Sequence, residues 1–229
     1  MPRMMGIDGC RSGWVAVEIV YTRRSHRSLK ISTYRSFKDV LSIKPTPDVI
    51  AIDIPIGLLN KREVGGRVCD REARRILGRL RLSSVFSAPI RPALRATIYE
   101  EAKVHGLTLQ GFGILPKVRE VNGQMTSNLQ SRVFEVHPEV SFWAMNGSAM
   151  RHNKKGKEGR EERLQVLRKK FPGIDTRLKD KRPKGVGLDD LLDAFAAAWT
   201  AMRIASGQSV SLPPNPPLDR KGLQMGIWY

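Results

Sequence analysis

Cysteine is scarce in this chain: Cys10 and Cys69 are its two cysteines. Two thiols cannot make a zinc knuckle unaided, and both are expected as free thiols in a reducing compartment. Long apolar runs are missing too, since none approaches the roughly 20 residues of a membrane span. Residues 1–6 lack the apolar region of a secretory signal. A cytoplasmic protein with no membrane contact is expected. Negative charge is the third shortage. The chain carries 22 acidic residues against 40 Lys and Arg, for a net charge of +18. That imbalance favours a polyanionic partner, DNA or RNA, through counterion release. The excess is spread over Arg23-Arg24, Arg74-Arg75, Lys154-Lys155, Lys157, Lys169-Lys170 and residues 179–184. Spread charge suits a broad face rather than a tethering arm. With 41% hydrophobic and 27% charged residues, a packed core is feasible and global disorder is excluded. The 229 residues show no internal repeat and no domain boundary, so a single domain is expected.

What is present begins with Gly6-Ile7-Asp8-Gly9-Cys10-Arg11-Ser12-Gly13-Trp14. A short apolar strand delivers one carboxylate, Asp8, into a Gly-rich turn. Glycine on both sides of an acid leaves room for a ligand near the backbone, although the same residues also make an ordinary hairpin. Residues 4–8, 14–21 and 28–35 read as three strands joined by polar turns. Thr22, Arg23, Arg24 and His26 fall at the second hairpin tip. Residues 36–41 read as a short helix with Ser36 as its N-cap.

The run 48–55 is apolar almost throughout, as in a strand buried on both faces. Asp53 interrupts it. A carboxylate inside such a run costs several kcal/mol unless it meets a cation or donors, so Asp53 is expected at the strand's end. Residues 69–78 read as a helix stopped by Gly78, bearing Arg71, Arg74 and Arg75 with Arg67 just before it. A solvated basic face and phosphate contacts are both open for these arginines. Residues 92–105 read as a further helix, and 115–121 as a short helical stretch before a polar loop. Residues 132–139 return to alternation, which puts Glu135, His137 and Glu139 on one strand face, with Pro138 limiting the strand. Residues 150–159 look like a mobile basic loop. Helices are expected at 160–171 and 188–206, the latter the strongest in the chain.

In the helix at 188–206, Leu188, Leu191, Leu192, Phe195, Trp199 and Met202 share an arc. Asp190 and Asp193 lie off it, one turn apart, and can point at the same place. Helix capping explains Asp189 and Asp190 well but Asp193 poorly, because it is beyond the first turn. Ala194, Ala196, Ala197, Ala198 and Ala201 keep the helix thin enough to dock closely on a sheet. Strand ends gather on one edge of a sheet with crossover connections. Asp8, Asp53, Glu135, Asp190 and Asp193 gathered there would repel one another unless divalent cations intervened. Carboxylates without cysteine or paired histidine select Mg²⁺ or Mn²⁺. Two such ions about 4 Å apart clamp the attacking and leaving oxygens of a phosphodiester.

These segments, together with Ser84-Val85-Phe86 and residues 69–74, resemble the ribonuclease H-like superfamily. More closely, they resemble the predicted-nuclease family called domain of unknown function 429. The resemblance implies one α/β domain with a mixed five-stranded sheet flanked by helices. It implies Asp8 as the first metal ligand and the Asp190/Asp193 pair as the last, with Asp53 or Glu135 between them. A Mg²⁺- or Mn²⁺-dependent nuclease follows, in which His137 is open to two readings, a proton shuttle or a structural histidine of its strand. Two other readings stand beside it. One is a phosphotransferase of the actin-like ATPase and sugar-kinase type, and the other a non-catalytic nucleic-acid-binding module.

Overall fold

The structure is a computed structural model that describes residues 2–21 and 27–229. The expected hairpin tip with Thr22, Arg23, Arg24 and His26 lies outside the described residues. Strands β1 (Arg3–Cys10), β2 (Gly13–Tyr21) and β3 (Arg27–Tyr34) form an antiparallel meander. A short helix, α1 (Phe37–Leu41), follows, capped by Ser36 as expected. Strand β4 (Val49–Ile52) then pairs parallel with β1, and β5 (Val133–Glu135) pairs parallel with β4. The resulting mixed sheet has the order β3-β2-β1-β4-β5, consistent with a ribonuclease H-like fold.

Between β4 and β5 lie α2 (Val68–Arg81), α3 (Tyr99–Val104) and α4 (Leu109–Gln124). After β5 come α5 (Pro138–Asn146), α6 (Lys157–Lys170), α7 (Ile174–Asp180) and α8 (Leu188–Ala205). Period-2 alternation divides the sheet into two apolar faces. Met5, Ile7, Ile50 and Ile52 pack with Phe37 and Val40 of α1 and Val118 and Val121 of α4. Met4, Val17, Val49 and Ala51 pack with α8 and with Phe142 of α5 and Leu167 of α6. No helix among the described residues is long and apolar enough to cross a membrane.

Several stretches differ from the sequence reading. The helix expected over 92–105 is a 3₁₀ turn at Arg91–Arg95 and then α3. Arg119 of α4 donates to the carbonyls of Leu94 and Ala96, which a continuous helix would use itself. Helix α4 is longer than expected, running from its Thr108 cap through Pro116. Pro138 ends strand character and opens α5, so Glu139 belongs to a helix rather than to the face of Glu135. In α2, Gly78 takes φ of +61° and breaks the helix where its stop was expected.

Strand β1 and helix α8 approach each other closely. Gly6 lies directly under the helix: a Cβ there would sit 1.9 Å from the Ala198 nitrogen and 2.4 Å from the Ala194 carbonyl oxygen. The alanines of α8 are fully buried along this contact. Gly6→Ala therefore forces backbone apart and is expected to destabilise the protein by about 1–3 kcal/mol or more. Gly123→Ala, in α4 with open space around it, should leave stability unchanged or raise it by up to about 1 kcal/mol. Urea unfolding of the two variants checks the contrast.

Candidate metal centre

Parallel pairing sets the geometry of the site. Ile7 of β1 is in register with Ile52 of β4, and Ile52 with Glu135 of β5. One residue further on, the Asp53 N–H donates to the Ile7 carbonyl at 3.0 Å and the Val136 N–H to the Ile52 carbonyl at 3.0 Å. Asp8 and Asp53 thus leave the same edge of the sheet, on the face covered by α8. The close docking over Gly6 brings Asp193 down to meet them. Asp8, Asp53 and Asp193 each place a carboxylate oxygen within 4.8 Å of the others. Asp193 is 1% exposed, and its Oδ1 has no hydrogen-bond partner among the described residues. Asp8 Oδ1 accepts the N–H of its neighbour Gly9, at 2.7 Å. Asp8 and Asp53 line a cavity of about 460 Å³, with Asp193 buried beside them.

Crowding and burial leave their mark on all three groups. Burial lifts the Asp8 carboxyl well above the ordinary range, and repulsion from Asp53 and Asp193 lifts it further. Burial raises Asp53 to about 6, against the pull of Lys154. Burial raises Asp193 to about 6 as well, although Lys154 Nζ donates to its Oδ2 at 2.5 Å. A hard dication suits this set of oxygen donors and removes the repulsion. The partnerless Asp193 oxygen is the observation of fit.

The other expected site residues sit apart from this triad. Glu135 lies in the register row of Ile7 and Ile52, so its side chain leaves the opposite face of the sheet. There Arg67 holds both its oxygens, Nη2 to Oε1 at 2.5 Å and Nη1 to Oε2 at 2.7 Å. The Ile56 N–H adds a third bond at 2.6 Å. Of the two candidates for the middle position, Asp53 joins the triad and Glu135 is committed to an ion pair. Arg67 also pairs with Asp70 and donates to the carbonyls of Ile56 and Gly57. It is a buried strut between β5 and the β4–α2 loop, and like Glu135 it lines the same cavity. Arg74 likewise holds the carbonyls of Gly65 and Val85.

Asp190 lines the cavity but turns back to accept the Gly187 N–H at 3.2 Å, capping α8. Asp189, the expected cap, pairs with Arg160. His137 stands at the start of α5 and lines the same cavity. Its Nε2 lies 3.3 Å from the Ser84 carbonyl, and burial lowers its pKa. A carbonyl only accepts, so the neutral ring carries its proton on Nε2 and keeps Nδ1 as an acceptor. That Nδ1 is buried without a partner among the described residues.

Two neighbours were not singled out from sequence. Glu139 is 3% exposed, bonds Arg163 through Oε1 and leaves Oε2 without a partner among the described residues. It adds negative potential at Asp53 and Asp193. Its place on the Glu135 face of the sequence pattern was the available signal. Lys154 carried no signal beyond its place in a basic run.

The chain belongs to the family described as a protein of unknown function, DUF429, whose model matches residues 6–218. No curated protein and no solved structure matches it.

Two outcomes follow from the geometry. Carboxyls with raised folded-state pKa favour folding only while protonated. For Asp53 and Asp193 that contribution is full below the unfolded value of 3.8 and is lost as pH climbs through about 6. Metal binding needs the ionised forms, so stabilisation by Mn²⁺ should grow over this window. Above it, Mn²⁺ at 100 times its Kd should raise Tm by about 5–10 °C. Asp8→Asn should remove that rise while increasing the metal-free Tm. Differential scanning fluorimetry across pH reads both. Glu135→Gln, by contrast, leaves Arg67 short of a buried partner and should cost about 3–5 kcal/mol in urea unfolding. It should leave Mn²⁺ affinity unchanged, as calorimetry on the folded protein would show.

Proposed function

Starting from a member of this family whose three acids converge, we propose that the protein is a Mg²⁺- or Mn²⁺-dependent nuclease that hydrolyses phosphodiester bonds of DNA or RNA. The observation that carries the reading is the meeting of Asp8, Asp53 and Asp193, from β1, the end of β4 and α8, within 4.8 Å. Nothing in folding alone rewards that arrangement, because each carboxylate makes the others harder to ionise. A dication bound there would supply Lewis acidity toward a phosphoryl oxygen and offset the charge that develops on it.

The chain's own groups divide the remaining work. Asp8, Asp53 and Asp193 are the ligands. His137 Nδ1 is a proton acceptor on the cavity wall, held in one tautomer by the Ser84 carbonyl. Lys155 and the ring of Phe86 line the cavity and suit contacts to phosphate and to a stacked base. Lys117 has a different duty: its Nζ donates to the Gly13 carbonyl at 2.5 Å and lies over the Trp14 ring at 4.5 Å. It braces the β1–β2 hairpin just beyond Asp8. The net charge of +18 supports a polyanionic substrate, although several arginines are committed to internal carbonyls and carboxylates.

Purified protein should cleave labelled single-stranded, duplex or branched DNA or RNA when Mn²⁺ is added. Asp8→Asn and Asp193→Asn should each lower the rate by about a thousandfold or more, the loss expected when several kcal/mol of Lewis-acid assistance is removed. Cleavage that survives both substitutions and excess chelator contradicts the proposal. Salt-sensitive DNA binding without cleavage on any of these substrates would favour the binding-module reading.

A further inference from the structure

Lys154 is one of many lysines in the sequence, yet its position is unlike the others. Its Nζ lies 2.5 Å from Asp193 Oδ2, and its charge also acts on Asp8 and Asp53. Asp193 is closed off from solvent, whereas the lysine side chain keeps 40% of its exposure. The ammonium therefore reaches into the carboxylate cluster from outside.

The loop that carries it is not loose. At the end of α2, Arg81 donates to the carbonyls of Met150 at 2.8 Å and Arg151 at 2.7 Å. Glu162 of α6 accepts the N–H groups of Arg151 at 2.8 Å and His152 at 3.0 Å. Arg163 donates to the His152 carbonyl at 3.1 Å. Gly159 lets the loop cross α6, since a Cβ there would sit 2.0 Å from the Asn153 carbonyl oxygen. The Gly156 N–H closes the turn by donating to that same carbonyl at 3.0 Å. With backbone fixed on both sides, the four-carbon stem of Lys154 is the part able to move. The ammonium and a dication would compete for the same carboxylate cluster, at distances where two positive charges repel.

We propose that Lys154 is a built-in counter-cation. It neutralises the Asp8–Asp53–Asp193 cluster in the metal-free protein and rotates out when a dication binds. This rests on reading the cluster as a metal centre. Lys154 then holds metal affinity down and metal-free stability up, without any change in the loop. Once displaced, its ammonium stays tethered beside the cavity, where a phosphate group of the substrate is its natural partner. Such an exchange couples dication binding to substrate binding.

The test is Mn²⁺ binding by calorimetry, with metal-free Tm measured alongside, on wild type, Lys154→Met and Lys154→Arg. Lys154→Met should bind Mn²⁺ about tenfold more tightly or better, and its metal-free Tm should fall. Lys154→Arg keeps the charge and should retain the weaker affinity. Lys154→Gln serves in place of Lys154→Met if the latter does not fold. Equal or weaker Mn²⁺ binding in the neutral variants, with wild type still binding, overturns the counter-cation and leaves the metal centre standing. Absence of Mn²⁺ binding in wild type and in the neutral variants alike overturns both.

Discussion

Mutual repulsion among Asp8, Asp53 and Asp193 is the strain that the rest of the molecule is arranged to bear. Three acids crowded within 4.8 Å, Asp193 buried and Asp8 and Asp53 half-buried, disfavour their own ionisation. They stay together because none can move away. Asp8 and Asp53 are fixed by parallel strands in register, and Asp193 by a helix packed on β1 with no side chain between them. Lys154 relieves part of the strain from solvent. Stability is given up locally and recovered in the two apolar layers on either side of the sheet, as is common where function sets the placement of charge.

A one-residue difference in register explains why two acids in similar strand-end positions have unrelated roles. In a pleated sheet the next residue along points to the other face. Asp53 follows Ile52, whereas Glu135 is level with it. Asp53 therefore looks toward α8 and the other two aspartates, and Glu135 toward Arg67. The Arg67–Glu135–Asp70 network is fully bonded and ties β5, the loop after β4 and the start of α2 into one unit. That unit carries none of the three aspartates, but it sets the position of the strand end that leads to Asp53.

Much of this was legible in the sequence, and the reasons are physical. The apolar runs around Ile7 and Ile52 are long enough to mark buried strands, and each ends in an aspartate. The spacing of Asp190 and Asp193, with alanines behind them, marks a thin helix that can approach a sheet closely. The rest depended on contacts that no local pattern encodes. The face chosen by Glu135 follows from pairing with β4, not from its own alternation. The split of residues 92–105 into two pieces follows from Arg119, 23 and 25 residues away from the two carbonyls it takes. The exchange of roles between Asp189 and Asp190 turns on Arg160. Lys154 sits in a basic loop whose aim is set by Arg81, Glu162 and Arg163, far from it in sequence or on another helix.

The most direct measurement is an anomalous difference map from crystals grown with Mn²⁺, collected at the manganese edge. The account predicts a peak coordinated by carboxylate oxygens of Asp8, Asp53 and Asp193. A map with no peak among these three residues, or with manganese bound only elsewhere on the protein, would contradict it.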